Sequence, residues 1–200
     1  MEAYSPLPPS QPEVVIYGLW AFWVLSWFAA AIWTSRTVKR PFFGSEIVYR
    51  FVTVIGALML FGSFRAARGL PHLWPYNEML DWAMAALTAT GIAFTWWARI
   101  HLGRLWSGNV TKKAGHHVVD TGPYRIVRHP IYTGILTMGW ALALDKATPI
   151  AIIGAVSLCV GYWMKSRLEE GFLRTELGAE DYDAYSRRVP MLVPFLPTKA

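Results

Sequence analysis

The fold and function predicted for this chain depend largely on one polar segment that lies between two apolar segments. It reads Asp120-Thr121-Gly122-Pro123-Tyr124-Arg125-Ile126-Val127-Arg128-His129-Pro130-Ile131-Tyr132. Two Arg, a His and two Tyr are more than a plain connection between helices needs. Ionisable residues next to membrane-embedded segments are functional candidates by default. We therefore expect half of an active site here, completed by the carboxylates of Glu169 and Glu170.

The composition indicates a membrane protein. Of the 200 residues, 54% are apolar, 15% aromatic and only 16% charged, whereas soluble domains have about a quarter charged residues. The formal net charge of +6 comes without any Lys/Arg-rich run, so nucleic-acid binding is not expected. Cations at the ends of apolar segments fit the anionic cytoplasmic face of a membrane instead. The single cysteine, Cys159, excludes an internal disulfide.

The apolar segments predict an all-α, polytopic membrane protein with five transmembrane helices. The expected spans are Val14–Trp33, Phe51–Phe64, Trp82–Ala98, Ile131–Leu144 and Thr148–Met164. The first is expected to be an uncleaved anchor, because its basic flank follows it. The fourth is short for a full crossing, so the last two should form a helical hairpin with both ends at one surface. That hairpin would bring His129 close to Glu169.

We expect one integral membrane domain over residues 1–200. It comprises a Pro-rich segment (1–13), three N-terminal spans (14–100), and a catalytic loop, hairpin and cytoplasmic tail (101–200). The positive-inside rule places the N-terminus outside and has the active site facing the cytoplasm. The membrane expected is the inner membrane of a bacterium or an archaeon. In the tail, a helix to Leu177, a stop at Gly178, a short helix and an extended segment Val189–Pro194 are predicted.

The residues around His129-Pro130 predict a helix start that binds an anion. Proline fits the first helical position, and the free N–H groups there favour a negative group. Arg125 and Arg128 could bind a carboxylate, although a basic cap at the membrane boundary is the alternative. Adjacent carboxylates do not share a helix face, so Glu169 and Glu170 should have different roles; a plain charged helix end is the alternative for this pair.

No metal site is expected. His116 and His117 are adjacent and point apart, and no Cys, Asp or Glu lies at ligand spacing. A Gly-rich nucleotide-binding loop and a Ser nucleophile elbow are also missing from the sequence.

Several motifs follow one another in order in the C-terminal half of the chain. They are His116, Gly122-Pro123-Tyr124, Arg128-His129-Pro130, Tyr132, Gly134, Glu169-Glu170, Gly178, Tyr182, Tyr185 and Arg188-Val189-Pro190. In this order and spacing, over roughly Gly103 to Pro194, they resemble the isoprenylcysteine carboxyl methyltransferase family. The upstream spans resemble it only in being apolar.

The resemblance implies an integral membrane enzyme that transfers a methyl group from S-adenosylmethionine to a lipophilic acceptor, such as the carboxylate of a prenylcysteine-type C-terminus. It implies a cytoplasm-facing cofactor pocket formed by the loop and the C-terminal helices. The cofactor-binding positions implied are Asn109, His116, His117, Val118, Val119, Tyr124, His129, Pro130, Ile131, Tyr132, Glu169 and Glu170. The catalytic positions implied are Arg128, Lys165 and Arg167.

One departure concerns the acceptor. Lys165 stands where eukaryotic members have an acceptor-contacting Arg, and Arg167 follows two residues later. Arg and Lys are not interchangeable for a carboxylate, so the acceptor need not be a prenylated cysteine. Two alternatives to methyl transfer remain open: an NADPH-dependent membrane reductase of the sterol-reductase type, and a non-catalytic lipid-binding membrane protein.

Overall fold

The computed structural model describes residues 10–39, 43–66, 72–113 and 117–196. Within these ranges the α-helices are α1 (Gln11–Ala30), α2 (Ile47–Ala66), α3 (Glu78–Leu102), α4 (Pro130–Lys146), α5 (Pro149–Leu177) and α6 (Ala179–Arg188). Two short strands, β1 (Thr37–Lys39) and β2 (Lys112–Lys113), pair antiparallel. The protein is mostly helical, as predicted, and α1 to α5 lie at the five expected spans.

Three helical stretches are long and apolar enough to cross a membrane. They are Gln11–Ala30, Gly44–Gly62 and Pro149–Glu176, and the chain is accordingly a membrane protein. The fourth helix has 17 residues, a length of about 25 Å at 1.5 Å per residue, which agrees with the short segment expected there. The count of five spans stays a prediction.

Capping side chains decide where the long helices begin. Ser10 Oγ accepts from the Glu13 N–H at 3.3 Å, so α1 starts before the apolar run that marks it in the sequence. Asn77 does the same for α3, and Thr148 for α5. A side-chain oxygen at this position satisfies one of the N–H groups that a helix start leaves unpaired.

A tight turn joins α4 to α5. Ala147 adopts a left-handed conformation with φ of 49°, and Thr148 then caps α5. The chain therefore reverses direction at once, and the start of α4 lies beside the charged part of α5. His129 Nδ1 and Glu169 Oε2 are 3.9 Å apart, the proximity that the predicted hairpin requires.

Glycines set the distance between the helices. A Cβ atom on Gly134 of α4 would lie 2.5 Å from Thr95 Cγ2 and 2.7 Å from the Gly91 carbonyl oxygen of α3. A Cβ atom on Gly154 of α5 would lie 2.8 Å from the Leu60 nitrogen of α2. Such small residues let helices approach closely in membrane proteins.

Gly134→Ala should therefore lower the free energy of unfolding by about 1–3 kcal/mol, because overpacking forces the backbones of α3 and α4 apart. The measurement is unfolding by SDS titration in mixed micelles. Gly18→Ala is the matched control, since a Cβ atom there meets nothing within 4 Å. Equal stability of Gly134→Ala and Gly18→Ala would contradict the close-packing argument.

Candidate active site

The C-terminal segment is bonded to the start of α4. The Arg128 N–H donates to the Pro190 carbonyl at 2.8 Å, and the His129 N–H donates to the Met191 carbonyl at 3.1 Å. The Thr133 hydroxyl donates to the Leu192 carbonyl at 2.6 Å. The backbone is extended at Val189 and bends from Met191 onward. The segment Val189–Pro194, predicted to be extended, is therefore extended only at its start.

Arg128 and Glu170 form a buried ion pair. The guanidinium donates through Nε to Glu170 Oε1 at 2.7 Å and through Nη2 to Oε2 at 3.2 Å. Its Nη1 donates to the carbonyls of Ser186 at 2.9 Å and Val189 at 2.5 Å. The two side chains are only 9% and 11% exposed. The resemblance implied a catalytic role for Arg128. Its partners favour a positioning role instead, because its N–H groups already donate to Glu170 and to carbonyls at the end of α6.

The second carboxylate has a different environment. The Tyr132 hydroxyl donates to Glu169 Oε2 at 2.7 Å. The His129 ring stacks on Tyr132 with centroids 5.3 Å apart and an interplanar angle of 5°, and its Nε2 lies 3.1 Å from Glu170 Oε1. Glu169 and Glu170 therefore have different hydrogen-bond partners, Tyr132 and Arg128; that their roles differ stays a prediction.

A cavity of about 780 Å³, partly open to solvent, lies beside these residues. The positions predicted to bind a cofactor that line it are Asn109, His117, Val118, Val119, Tyr124, His129, Pro130, Ile131, Tyr132 and Glu169. Arg128 also lines it. Glu170 is instead engaged with Arg128, and His116 lies outside the described residues.

Other lining residues were not predicted as site residues. They are Leu102, Leu105, Trp106, Ser107, Thr111, Leu173, Tyr182 and Tyr185. Tyr182 and Tyr185 stand three positions apart in the short helix and so share one face of it, which is the signal that could have found them. The Tyr185 hydroxyl donates to the Tyr124 carbonyl at 2.7 Å. Burial raises the pKa of Tyr182 and of Tyr185 above the usual tyrosine range, which keeps both phenols neutral.

A buried arginine holds the Trp106 wall of the cavity. Arg99 of α3 is fully buried and donates to the carbonyls of Ala30 at 2.8 Å, Trp33 at 2.7 Å and Gly103 at 2.7 Å. Its guanidinium carbon lies 4.5 Å from the Trp106 ring centroid. Arg99 thus joins the end of α1 to the loop after α3, a contact with no local sequence signal.

The two cations predicted on α5 lie in different places. Lys165 donates to the Gly108 carbonyl at 2.9 Å, and its amine lies 4.9 Å from the Tyr132 ring centroid. Arg167 is exposed and lines a second cavity. At the loop, Arg50 of α2 donates to Asn109 Oδ1 at 2.9 Å and pairs with Glu46, so the start of α2 also positions a predicted site residue.

Residues 84–173 match the model of the isoprenylcysteine carboxyl methyltransferase family. The chain is 31% identical to the nickel-cobalt-cadmium resistance protein NccN of Alcaligenes xylosoxydans xylosoxydans over 58% of this chain and 53% of that protein. It is 33% identical to protein-S-isoprenylcysteine O-methyltransferase B of Arabidopsis thaliana over 44% of each chain. It is 24% identical to methanethiol S-methyltransferase 1 of Bradyrhizobium diazoefficiens over 82% of this chain and 58% of that protein.

The chain spans about half the length of the curated relatives it matches. Among the residues that the structure describes, no group of three or more His, Cys, Asp or Glu side chains is arranged to hold a metal ion. The family match contains α4, Arg128, His129 and the Glu169-Glu170 pair. It begins earlier than the predicted region, inside α3, and ends before α6. The predicted resemblance is therefore confirmed, and this membrane protein is related to the isoprenylcysteine carboxyl methyltransferase family.

Proposed function

We propose that this protein transfers a methyl group from S-adenosylmethionine to a lipophilic acceptor at the cytoplasmic face of the membrane. The similarity to proteins named as methyltransferases supports methyl transfer to a membrane-associated acceptor. The observation that carries the finer proposal is the cavity itself. It brings a helix start, one carboxylate and several aromatic rings together.

The start of α4 suits the carboxylate of S-adenosylmethionine. His129 precedes the helix without a side-chain capping bond, and Pro130 has no N–H. The first N–H groups of an α-helix have no partner within the helix, and here they belong to Ile131 and Tyr132, which line the cavity. The positive end of the helix dipole favours an anionic group at this position.

The opposite charge is provided by Glu169. One of its oxygens accepts from Tyr132, and a carboxylate can accept several hydrogen bonds, so it can also bind the ammonium of S-adenosylmethionine. The faces of Tyr124 and Tyr182, both in the cavity lining, suit the sulfonium by cation–π attraction.

The bound cofactor supplies an activated methyl group, and the protein's part is to bind, align and exclude water. An acceptor carboxylate is already nucleophilic and needs no general base. A nearby cation is enough to place it, and we assign that role to Lys165 because its amine lies over Tyr132. Arg167 is exposed at the other cavity and is less suited. A thiol acceptor is the second candidate, since some relatives are named methanethiol S-methyltransferases.

Calorimetric titration of the purified protein in detergent tests the cofactor. S-Adenosylmethionine should bind and NADPH should not. Binding of NADPH alone would refute methyl transfer in favour of the reductase alternative, and binding of neither would leave the non-catalytic one. Mass spectrometry of lipid extracts and of thiols, after incubation with methyl-labelled cofactor, then identifies the acceptor.

A further inference from the structure

A second concave surface lies next to the candidate active site. It is bounded by α5, α6 and the C-terminal segment and measures about 1410 Å³ including its open mouth. Arg128 and Tyr182 line both this groove and the first cavity, so they form part of the wall between the two. We call this surface the tail groove; Trp163, Arg167, Gly171, Arg174, Val193 and Leu196 are among the residues that line it.

One face of α5 changes character along the tail groove. Trp163, Arg167 and Gly171 follow at intervals of four residues and so share a helix face. On this face Trp163, which is 53% exposed, is the last apolar residue, and Arg167 is the first charged one. A Cβ atom on Gly171 would meet nothing within 4 Å, which leaves open space beside Arg167. The groove therefore crosses from the apolar to the charged end of a candidate membrane span.

The C-terminal segment adds apolar surface to the groove. Val193 is 54% exposed and Leu196 53% exposed, and both line the groove. The neighbouring Phe195 is 94% exposed and has a left-handed backbone with φ of 63°. Exposed apolar side chains grouped around a groove mark a surface that contacts a partner or a membrane.

Of the three arginines that line the groove, two are in ion pairs. Arg128 is paired with Glu170, and Arg174 is paired with Asp183 through two contacts of 2.7 Å. Arg167 has neither an ion pair nor a hydrogen bond to any residue that the structure describes. An exposed guanidinium beside open space suits a phosphate, because its planar donors match phosphate geometry.

We propose that the tail groove binds an anionic phospholipid of the bilayer, with the phosphate on Arg167 and an acyl chain along Trp163 and the apolar side chains of the tail. The order of groups along α5 is the order in a leaflet: apolar chain, interfacial ring, charged headgroup. Tryptophan is enriched at this depth of a membrane, and anionic lipids of the cytoplasmic leaflet attract cations close to the surface. Since Leu192 is bonded to Thr133, the lipid would contact the segment that is also bonded to the first turn of α4.

Native mass spectrometry of protein reconstituted with equal amounts of phosphatidylglycerol and phosphatidylcholine tests this proposal without any methyl donor. The wild type should retain phosphatidylglycerol in preference. Arg167→Gln should lower that retention about tenfold, which corresponds to loss of one charge-assisted hydrogen bond. Arg36→Gln removes an exposed cation outside the groove and should leave retention unchanged.

Equal retention of the two lipids by the wild type would overturn the proposal, whatever the variants do. So would equal phosphatidylglycerol retention by the wild type and Arg167→Gln. Inorganic phosphate should not displace the lipid; displacement would mean that the groove recognises phosphate alone and that the acyl chain contributes nothing. If Arg167→Gln fails to fold, the wild-type lipid preference and the phosphate competition still decide the outcome.

Discussion

Arg128→Ala should lower the free energy of unfolding by about 3–5 kcal/mol, because it leaves the buried charge of Glu170 without its partner. The same change removes the donors to the carbonyls of Ser186 and Val189, which hold the end of α6. The free energy of unfolding is measured by SDS titration in mixed micelles. Limited proteolysis should show earlier cleavage of the C-terminal segment in the variant.

Arg188→Ala is the matched control for that change. Its ion pair with Asp120, at 3.3 Å, joins side chains that are 66% and 44% exposed, so its loss should matter by less than about 1 kcal/mol. The double variant Arg128→Ala/Glu170→Ala should lose less than the sum of the two single changes, since the two residues interact directly. Strict additivity, or equal losses for Arg128→Ala and Arg188→Ala, would show that the buried bridge does not hold the tail.

Glu169→Gln should weaken the binding of S-adenosylmethionine by roughly 10- to 100-fold, the effect of losing a hydrogen bond to a charged group. The amide keeps an oxygen that can accept from Tyr132, so the local structure should be retained while the negative charge disappears. Calorimetric titration measures the affinity, and the free energy of unfolding should stay close to that of the wild type.

Two further variants separate charge from structure in this prediction. Glu170→Gln should act mainly on the free energy of unfolding, because Glu170 accepts from Arg128 and contacts His129. Glu180→Gln removes an exposed carboxylate of α6 outside the cavity lining and should change neither quantity. An unaltered cofactor affinity in Glu169→Gln would remove the ammonium-binding role from this residue.

The sequence predicted the helices well because apolar length decides them. The fourth span was predicted at Ile131–Leu144 and α4 runs over Pro130–Lys146, since proline fits the first helical turn. The first was predicted at Val14–Trp33, whereas α1 covers Gln11–Ala30. Both ends of α1 depend on residues outside the apolar run. Ser10 caps its start, and Arg99 donates to the Ala30 carbonyl at its end.

The candidate site was predicted less completely, because part of it depends on contacts between distant segments. Nothing near Asn109 in the sequence indicates that Arg50 of α2 bonds its side chain. Arg128 was predicted as catalytic from a short motif, but its partners lie in α5, α6 and the segment after α6. Residue type gives the possible chemistry of a side chain, whereas its partners decide whether it is free to perform that chemistry.

The bonds from the start of α4 to Pro190, Met191 and Leu192 also have a consequence for biosynthesis. Chains are made from the N-terminus, so the start of α4 is synthesised before the residues to which it is bonded. Until Leu192 leaves the ribosome, the start of α4 beside the cavity lacks its hydrogen bonds to the C-terminal segment. A product truncated before Pro190 would lack these three hydrogen bonds, so the start of α4 beside the cavity would not be joined to the C-terminal segment.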